Sequence, residues 1–545
     1  MVTLRPNLPY IRLMTENLTQ RSRMLTLAGV LLALFLSSLD QTIVATALPR
    51  IVAELHGFDR FAWVATAYLA ASTALVPVYG KLADMYSRRN IEVTAILIFL
   101  TGSALCGLAG EFGPLPVLGD GMSQLIIFRA VQGLGGAGLL AMAFIIIADL
   151  FSPAERGKYQ GFVGATFGLA SVLGPFLGGL LTDHGSGLLP GVAGWRLVFY
   201  VNLPLGLLAL WFILGRMPRL KPRGEKKPLD YLSALLLMAG LVPLVLGLQL
   251  NKAQYGWTAP LTLGLFAAAA GLLLLFVFRS LRSDNPILDL TLFQNPVFRT
   301  ANIATFLLGG AFLSIVIFEP LFMVHVLGVS ATKAGLSLIP LSLGVVGGSM
   351  LAGQMVARFG HYKHWMLAGG LLLLLGQGLL ATMPPTVAYE QVLLYVMICG
   401  LGLGPCMPLY TLAIQNAIDP RLTGQATSAS QFFRQIGGVM AAALLGTVLT
   451  MSLAQTLPPT ATPAPEVAAQ TTVAEGIPFP TTAAALSGPT PEARAAFSHA
   501  ISRVYLCTLC LVLCGWLATL FIPDLPLRTS NAVKPVPVLA THAAK

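Results

Sequence analysis

The 545-residue chain is 56% hydrophobic and only 10% charged, with a mean hydropathy of +0.78. Soluble domains carry about 25% charged residues, so this composition excludes a water-soluble enzyme. It also leaves no interval outside the apolar segments long enough for a sizeable soluble core.

About 20 residues rising about 1.5 Å each cross a hydrocarbon core about 30 Å thick. By that measure the chain holds about fourteen spanning segments. The first seven are Leu25–Leu48, Phe61–Gly80, Ile91–Ala109, Gln124–Ile147, Gly161–Leu181, Leu197–Gly215 and Tyr231–Leu250. The remaining seven are Pro260–Phe278, Ala301–Val324, Ser330–Val356, Trp365–Met383, Val392–Ile414, Thr427–Met451 and Val504–Ile522. An all-α polytopic membrane protein is expected.

The net charge of +11 follows the membrane rather than a nucleic acid, because 24 of the 33 lysines and arginines fall in the tails and in alternate loops. Basic loops stay in the cytoplasm, so an even number of helices with both tails inside is expected. The largest inner cluster is Arg216, Arg219, Lys221, Arg223, Lys226 and Lys227. Outside, the Pro-, Thr- and Ala-rich interval 452–499 reads as a flexible loop with a short helix at Pro491–His499. The first apolar run is too long for a cleavable signal peptide and more spans follow. Met14 is an alternative start.

Four charged residues inside these spans are functional-site candidates. Asp40, in LLALFLSSLDQTIVATALP, carries an insertion cost of about 2.5–3.5 kcal/mol and is a functional-site candidate on that ground. Arg129 opens the fourth-helix run RAVQGLGGAG. It lies about 8 Å from the outer boundary, and Asp40 about 24 Å from the inner one, so the two share a depth. A buried arginine can hold an acid ionised, or release it by swinging away. Glu319, in FLSIVIFEPLF, sits in the outer third of the ninth segment, and either a second proton or cation site or an interfacial acid fits it. Arg434, in QFFRQIGGVM, lies mid-membrane; balancing a carboxylate, holding an anionic part of a substrate, and a purely structural contact remain open. His184 and His325 fall at the outer edge and are expected to be solvated.

Cys106, Cys399, Cys406, Cys507, Cys510 and Cys514 all fall in apolar segments. The last three share a helical face, but no histidine or acid completes a ligand set, so they are expected to be packing residues rather than a metal site. No Walker-type phosphate loop is present. Hence neither cofactor nor ATP is expected, and an ion gradient must supply the energy.

A faint repeat relates GKLADMYSRR (Gly80–Arg89) after the second segment to GQMVARFGHYK (Gly353–Lys363) after the tenth. Such pairs point to a transporter built from two structural halves around a central site. In the first copy Gly80 allows close backbone approach. Asp84 can pair with Arg88 or Arg89 and with a neighbouring helix N-terminus. In the fifth segment Gly164, Gly168, Gly174 and Gly178 recur at small-xxx-small spacing around Pro175, followed by Gly179, which suits tight packing and a bend.

These motifs carry a resemblance. LDQTIVATALP, WVATAYLAAS, GKLADMYSRR, RAVQGLGGAG, GPFLGG and WRLVFYVNLPLG occur in order. Together they resemble the fourteen-helix drug:proton antiporters of the major facilitator superfamily, the EmrB/QacA type, from about Leu25 to Ile522. The resemblance implies two six-helix bundles, 25–217 and 298–522, joined by a basic loop and two inserted helices at 218–297, with cytoplasmic tails 1–24 and 523–545. It implies a cytoplasmic latch at Gly80, Asp84, Arg88 and Arg89, and an antiporter bend at Gly174, Pro175, Gly178 and Gly179. Met85 and Ser87 depart from the usual Arg and Gly, which implies a looser latch. The implied function is proton-driven export of amphipathic, cationic drugs through the inner membrane, with Asp40 and Arg129 coupling the proton. Export of an endogenous metabolite, inward symport on the same fold, and docking of a periplasmic adaptor protein on the outer loop stay open.

Overall fold

The computed structural model describes residues 19–528 apart from 58, 59, 61, 189, 190, 219–228, 251–254, 457–471, 474–476 and 479–490. Residues 1–18 of the N-terminal tail, Arg219 to Lys227 of the basic loop, Lys252, most of the outer loop, and residues 529–545 of the C-terminal tail with Lys534 and Lys545 therefore lie outside the described residues.

The N-terminal half comprises α1 (Gln20–Leu55), α2 (Ala62–Met85), α3 (Arg88–Leu108), α4 (Gly121–Leu150), α5 (Pro153–Leu188), α6 (Gly194–Tyr200) and α7 (Asn202–Arg216). Two linking helices follow, α8 (Tyr231–Gln249) and α9 (Pro260–Arg282). The C-terminal half comprises α10 (Pro296–His325), α11 (Ala331–Leu336), α12 (Ile339–Phe359), α13 (Lys363–Ala381), α14 (Tyr389–Ala417), α15 (Thr423–Thr456) and α16 (Pro491–Leu520). Thirteen helical spans among the described residues are long and apolar enough to cross a bilayer, and the 24-residue α2 makes fourteen. The only strand pairing described is a two-residue antiparallel contact, Thr472–Val473 with Ile477–Pro478, in the outer loop.

Proline accounts for two differences from the expected spans. The sixth is broken into α6 and α7, because Pro204 has no N–H for the carbonyl of Tyr200. The tenth is broken into α11 and α12, because Pro340 leaves the carbonyl of Leu336 without its partner. The helix expected at Pro491–His499 leads into the last span, and the two form one continuous helix, α16. Helix α1 continues past Leu48 and through Pro49 to Leu55, since Ile51 and Val52 beyond the proline are still buried.

Helix α4 is buried along most of its length, whereas α9 buries only Thr262, Ala269, Phe276 and Ser280. The first is a core element and the second presents its apolar surface outward, as a lipid-facing helix does. Helices α8 and α9 pack on each other, and α8 leans on α2 and α15.

The halves meet along two seams, α2 with α15 and α5 with α12. Glycine sets both distances. A Cβ on Gly80 would lie 1.9 Å from Ser428 Oγ and 2.6 Å from the Gly424 carbonyl. A Cβ on Gly353 would lie 2.1 Å from the Gly157 carbonyl. The two members of the sequence repeat thus occupy equivalent places, each closing one seam at the end of the bundle that carries the basic loops.

At the opposite end, Asp120 caps α4 by accepting from Ser123 N at 3.0 Å and clamps Arg60 at 2.6 and 3.1 Å. The Arg60 guanidinium, then the Ser123 N–H, hold the Asp120 carboxyl well below the usual carboxylate range. A depressed carboxyl stabilises the fold above its unfolded pKa of about 3.9 and loses that effect as pH falls through its folded value. Asp120→Asn should therefore lower the melting temperature of the detergent-solubilised protein at pH 7. The gap should hold between pH 5 and pH 8 and narrow in acid; differential scanning fluorimetry checks this.

Candidate functional site

Asp40 is fully buried inside the N-terminal half. Its Oδ2 accepts from Arg129 Nη1 of α4 in an ion pair. Its Oδ1 accepts from Gln132 Nε2 at 2.8 Å and from Asn202 Nδ2 of α7 at 3.2 Å. A carboxylate deprived of water needs such donors on every side. Arg129 is held in turn: Nη1 also donates to Gln132 Oε1 at 2.8 Å and Nε to the Val64 carbonyl at 3.3 Å. The guanidinium lies 4.5 Å from the centre of the Tyr68 ring, a cation–π contact. Tyr68 bonds Ser37 at 2.9 Å, and Asn202 bonds Ser103 of α3 at 3.0 Å. The glycine run of α4 makes room, since a Cβ on Gly136 would sit 2.3 Å from Tyr68 Oη and one on Gly133 2.5 Å from the Tyr68 carbonyl.

Gln132, Asn202, Tyr68 and Ser103 were not singled out from the sequence. The available signal was an amide inside each of two apolar runs, AVQGL and YVNLP.

A profile of the Major Facilitator Superfamily matches residues 30–442. The chain belongs to the major facilitator superfamily. It is a multi-pass membrane protein and a secondary active transporter, not an enzyme. It is 39% identical over 436 residues to Multidrug resistance protein 3 of Bacillus subtilis (strain 168), covering 80% of this chain and 81% of that one. It is 37% identical over 438 residues to the Multidrug transporter protein MdtP of the same organism, covering 80% and 77%. Among solved structures it resembles the proton:xylose symporter XylE with a TM-score of 0.59, covering 95% of this chain and 98% of that one at 16% identity. That last likeness concerns the fold alone.

In this superfamily member the last turn of α2 reaches across the seam. Asp84 Oδ1 accepts from Gly424 N at 2.8 Å and Oδ2 from Gln425 N at 2.9 Å, so one carboxylate of the N-terminal half caps α15 of the other. Arg88 stands 4.0 Å from Asp84 and donates to Asp149 at 2.7 Å. Arg89 does not join this group: it donates to the carbonyls of Leu214 and Met217, capping the C-terminal end of α7. Helix α7 ends beside it, so the nearest acceptors are carbonyls rather than Asp84. The second seam carries a polar network around Gln415 of α14, which accepts from Arg156 at 3.4 Å and Gln160 at 3.2 Å and donates to Thr427 at 3.0 Å. Asp149 and Gln415 were also missed; each ends an apolar run and reads locally as a helix terminus.

The glycines of α5 split by target. Gly164 and Gly168 face Ser349 and Val346 of α12 across the seam, while Gly174 and Gly178 face Thr42 and Thr46 of α1. Pro175 lies at the start of the second pair. Gly179 has no atom within 4 Å of a Cβ position, so it takes no part in this packing.

Glu319 is not an interfacial acid: it is fully buried, with Oε2 accepting from Ser337 at 2.8 Å and Oε1 lacking a partner among the described residues. The break at Pro340 puts Ser337 beside it. His325 is not simply solvated but stacks on Phe497 at 4.5 Å, because α16 extends outward past the expected span; His184 is exposed. Glu92 of α3, an acid not noticed in the sequence, is fully buried, and neither oxygen has a partner among the described residues. Arg434 forms no ion pair among the described residues; Nε and Nη2 donate to Gln431 Oε1 at 3.1 and 3.0 Å. No group of metal-ligating residues occurs among the described residues.

Asp84→Asn should weaken the α15 cap while leaving drug-binding surfaces untouched. A cysteine at Ser428, in a background with Cys507, Cys510 and Cys514 replaced by serine, should react faster with an impermeant maleimide in inverted vesicles. Transport should fall while binding of a hydrophobic dye survives.

Proposed function

We propose that this transporter exports amphipathic organic compounds in exchange for protons. The observation that supports the reading is the Asp40–Arg129 pair. The acid and its counter-charge sit on different helices, α1 and α4, and no solvent reaches the acid in this conformation. A small relative movement of those helices would trade the guanidinium for a proton on Asp40. Gln132 and Asn202 are neutral and can serve the carboxyl in either state. The membrane potential would add about 2.3 kcal/mol per charge per 100 mV to the drive. Support for the outward direction comes from the two Bacillus subtilis relatives, one named for multidrug resistance and the other as a multidrug transporter.

In this reading Asp84 and Arg88 keep the cytoplasmic side closed while Gly80 sets the seam, and Gly174, Pro175 and Gly178 hold α5 against α1. Arg89 anchors α7 instead of the latch. Glu319 is the next candidate for a second protonatable group. The expected preference for cationic drugs has no acid among the residues lining the cleft beside Arg434 to support it. An adaptor protein would dock on the outer loop, most of which lies outside the described residues, and no observation supports it.

Everted vesicles with an imposed pH gradient test the proposal. The wild-type protein should drive uptake of a fluorescent amphipathic dye and release protons when dye is added. Asp40→Asn should abolish both, with a normal size-exclusion profile. Asp40→Glu should keep partial activity, and Arg129→Gln should cripple transport, since breaking one side of a buried pair typically costs about 3–5 kcal/mol. A wild-type coupling ratio in Asp40→Asn would move the proton role to another carboxyl. Dye movement in the same direction as the protons would favour inward symport.

A further inference from the structure

We propose that the cleft between α10, α14 and α15 is a carboxylate-binding subsite, so that compounds carried by this protein are aromatic or aliphatic acids and zwitterions rather than simple cations. The inference rests on the transport reading above and names the substrate class of that transporter.

The cleft is walled by Leu308 and Phe312 of α10 and by Leu403, Met407 and Tyr410 of α14, with Arg434 of α15 as its one charged lining residue. The Tyr410 hydroxyl points away and bonds Thr519 of α16 at 2.5 Å, so the wall it offers is its ring. Apolar walls with one placed polar group are what a small-molecule site requires. The cleft lies at the seam between the halves: Gln435, the next residue along α15, accepts from Thr73 of α2 at 2.9 Å. Helices α10 and α15 approach closely there, since a Cβ on Gly309 would lie 2.3 Å from the Arg434 carbonyl.

Arginine presents five N–H donors in a rigid fork. Gln431 Oε1 takes the side edge, Nε and Nη2, and Gln431 is itself held by its amide donating to Thr411 Oγ1 at 3.3 Å. The guanidinium is thus fixed by a neutral group, and its end edge, Nη1 with the second hydrogen of Nη2, has no protein acceptor among the described residues. That edge matches the two oxygens of a carboxylate, the bidentate geometry arginine favours. The buried acids do not neutralise it. No acid lines the cleft: Asp40 is paired with Arg129, Asp84 and Asp149 with Arg88, Glu92 lies on α3 of the other half, and Glu319 sits about two helical turns beyond Phe312 along α10. Within the cleft the field is therefore positive, favouring an anionic group and opposing a lone cation.

The test is equilibrium binding to the full-length protein in lipid nanodiscs, with no gradient. The probes are a xanthene dye bearing a free benzoic acid and the same dye as its ethyl ester. Fluorescence polarisation should give at least about tenfold tighter binding of the acid, as expected for a charge-assisted pair. Arg434→Gln should remove that preference by weakening the acid alone, with unchanged ester binding reporting an intact fold. Arg434→Lys should restore part of it, because a point charge lacks the fork. Equal or tighter binding of the ester by the wild-type protein, an equal loss of both probes in Arg434→Gln, or binding of neither probe overturns the proposal. Asp40→Asn run in parallel should keep the acid preference. Loss of pumping with that preference intact would count against the proton-exchange reading alone.

Discussion

A carboxylate inside a bilayer-spanning bundle must find its donors within the protein, and the arrangement of the N-terminal half follows from that requirement. Asp40 draws Arg129 and Gln132 from α4 and Asn202 from α7, and Asn202 draws Ser103 from α3. Association of helices in lipid lacks the hydrophobic drive available in water. Buried polar groups that would otherwise be orphaned therefore define which helices lie together and in what register. The glycines of α4 act in the same place. They let the backbone of α2 approach until the Tyr68 ring covers the Arg129 guanidinium.

The two halves repeat a design but not its charges. Gly80 and Gly353 close equivalent seams by the same means, the removal of a side chain at a backbone contact. Asp84 has no partner in the repeat, because Ala357 stands four residues after Gly353. One seam is therefore held by a charge capping a helix and the other by an amide network around Gln415. The carboxylate cap gains from the partial positive charge of the α15 N-terminus. The second network holds the Arg156 guanidinium, so each closure contains a buried charge that salt screens little.

The acids and the cleft are separate. Asp40 lies wholly within one half, Glu319 wholly within the other, and the charged group at the cleft is Arg434. In the proposed exchange, a proton on Asp40 would act on α1, α4 and α7, the helices that carry the acid and its donors. Helix α1 packs along α5, which in turn packs along α12 of the other half. The Gly174 and Gly178 contacts with α1 and the Gly164 and Gly168 contacts with α12 place a continuous packed path between the helix that carries Asp40 and the seam. A change in the pairing of Asp40 can reach the substrate side through helix packing, without any shared residue.

Composition and the spacing of apolar runs determined the fold class, the fourteen spans and the orientation, because crossing a hydrocarbon core is a demand that each segment meets alone. The depth of Asp40 and Arg129 was legible for the same reason: rise per residue converts position into height. Height does not specify which face a residue presents or what stands opposite. Gln132 and Asn202 as donors, Arg89 as a cap on α7 rather than part of the latch, and Asp84 as a cap on α15 are contacts between residues 92 to 341 apart in the chain. Glu319 shows the limit most sharply. Its position along α10 suits the membrane rim, but it is fully buried, and the break at Pro340 sets Ser337 against it. Only the packing of helices against one another decided that.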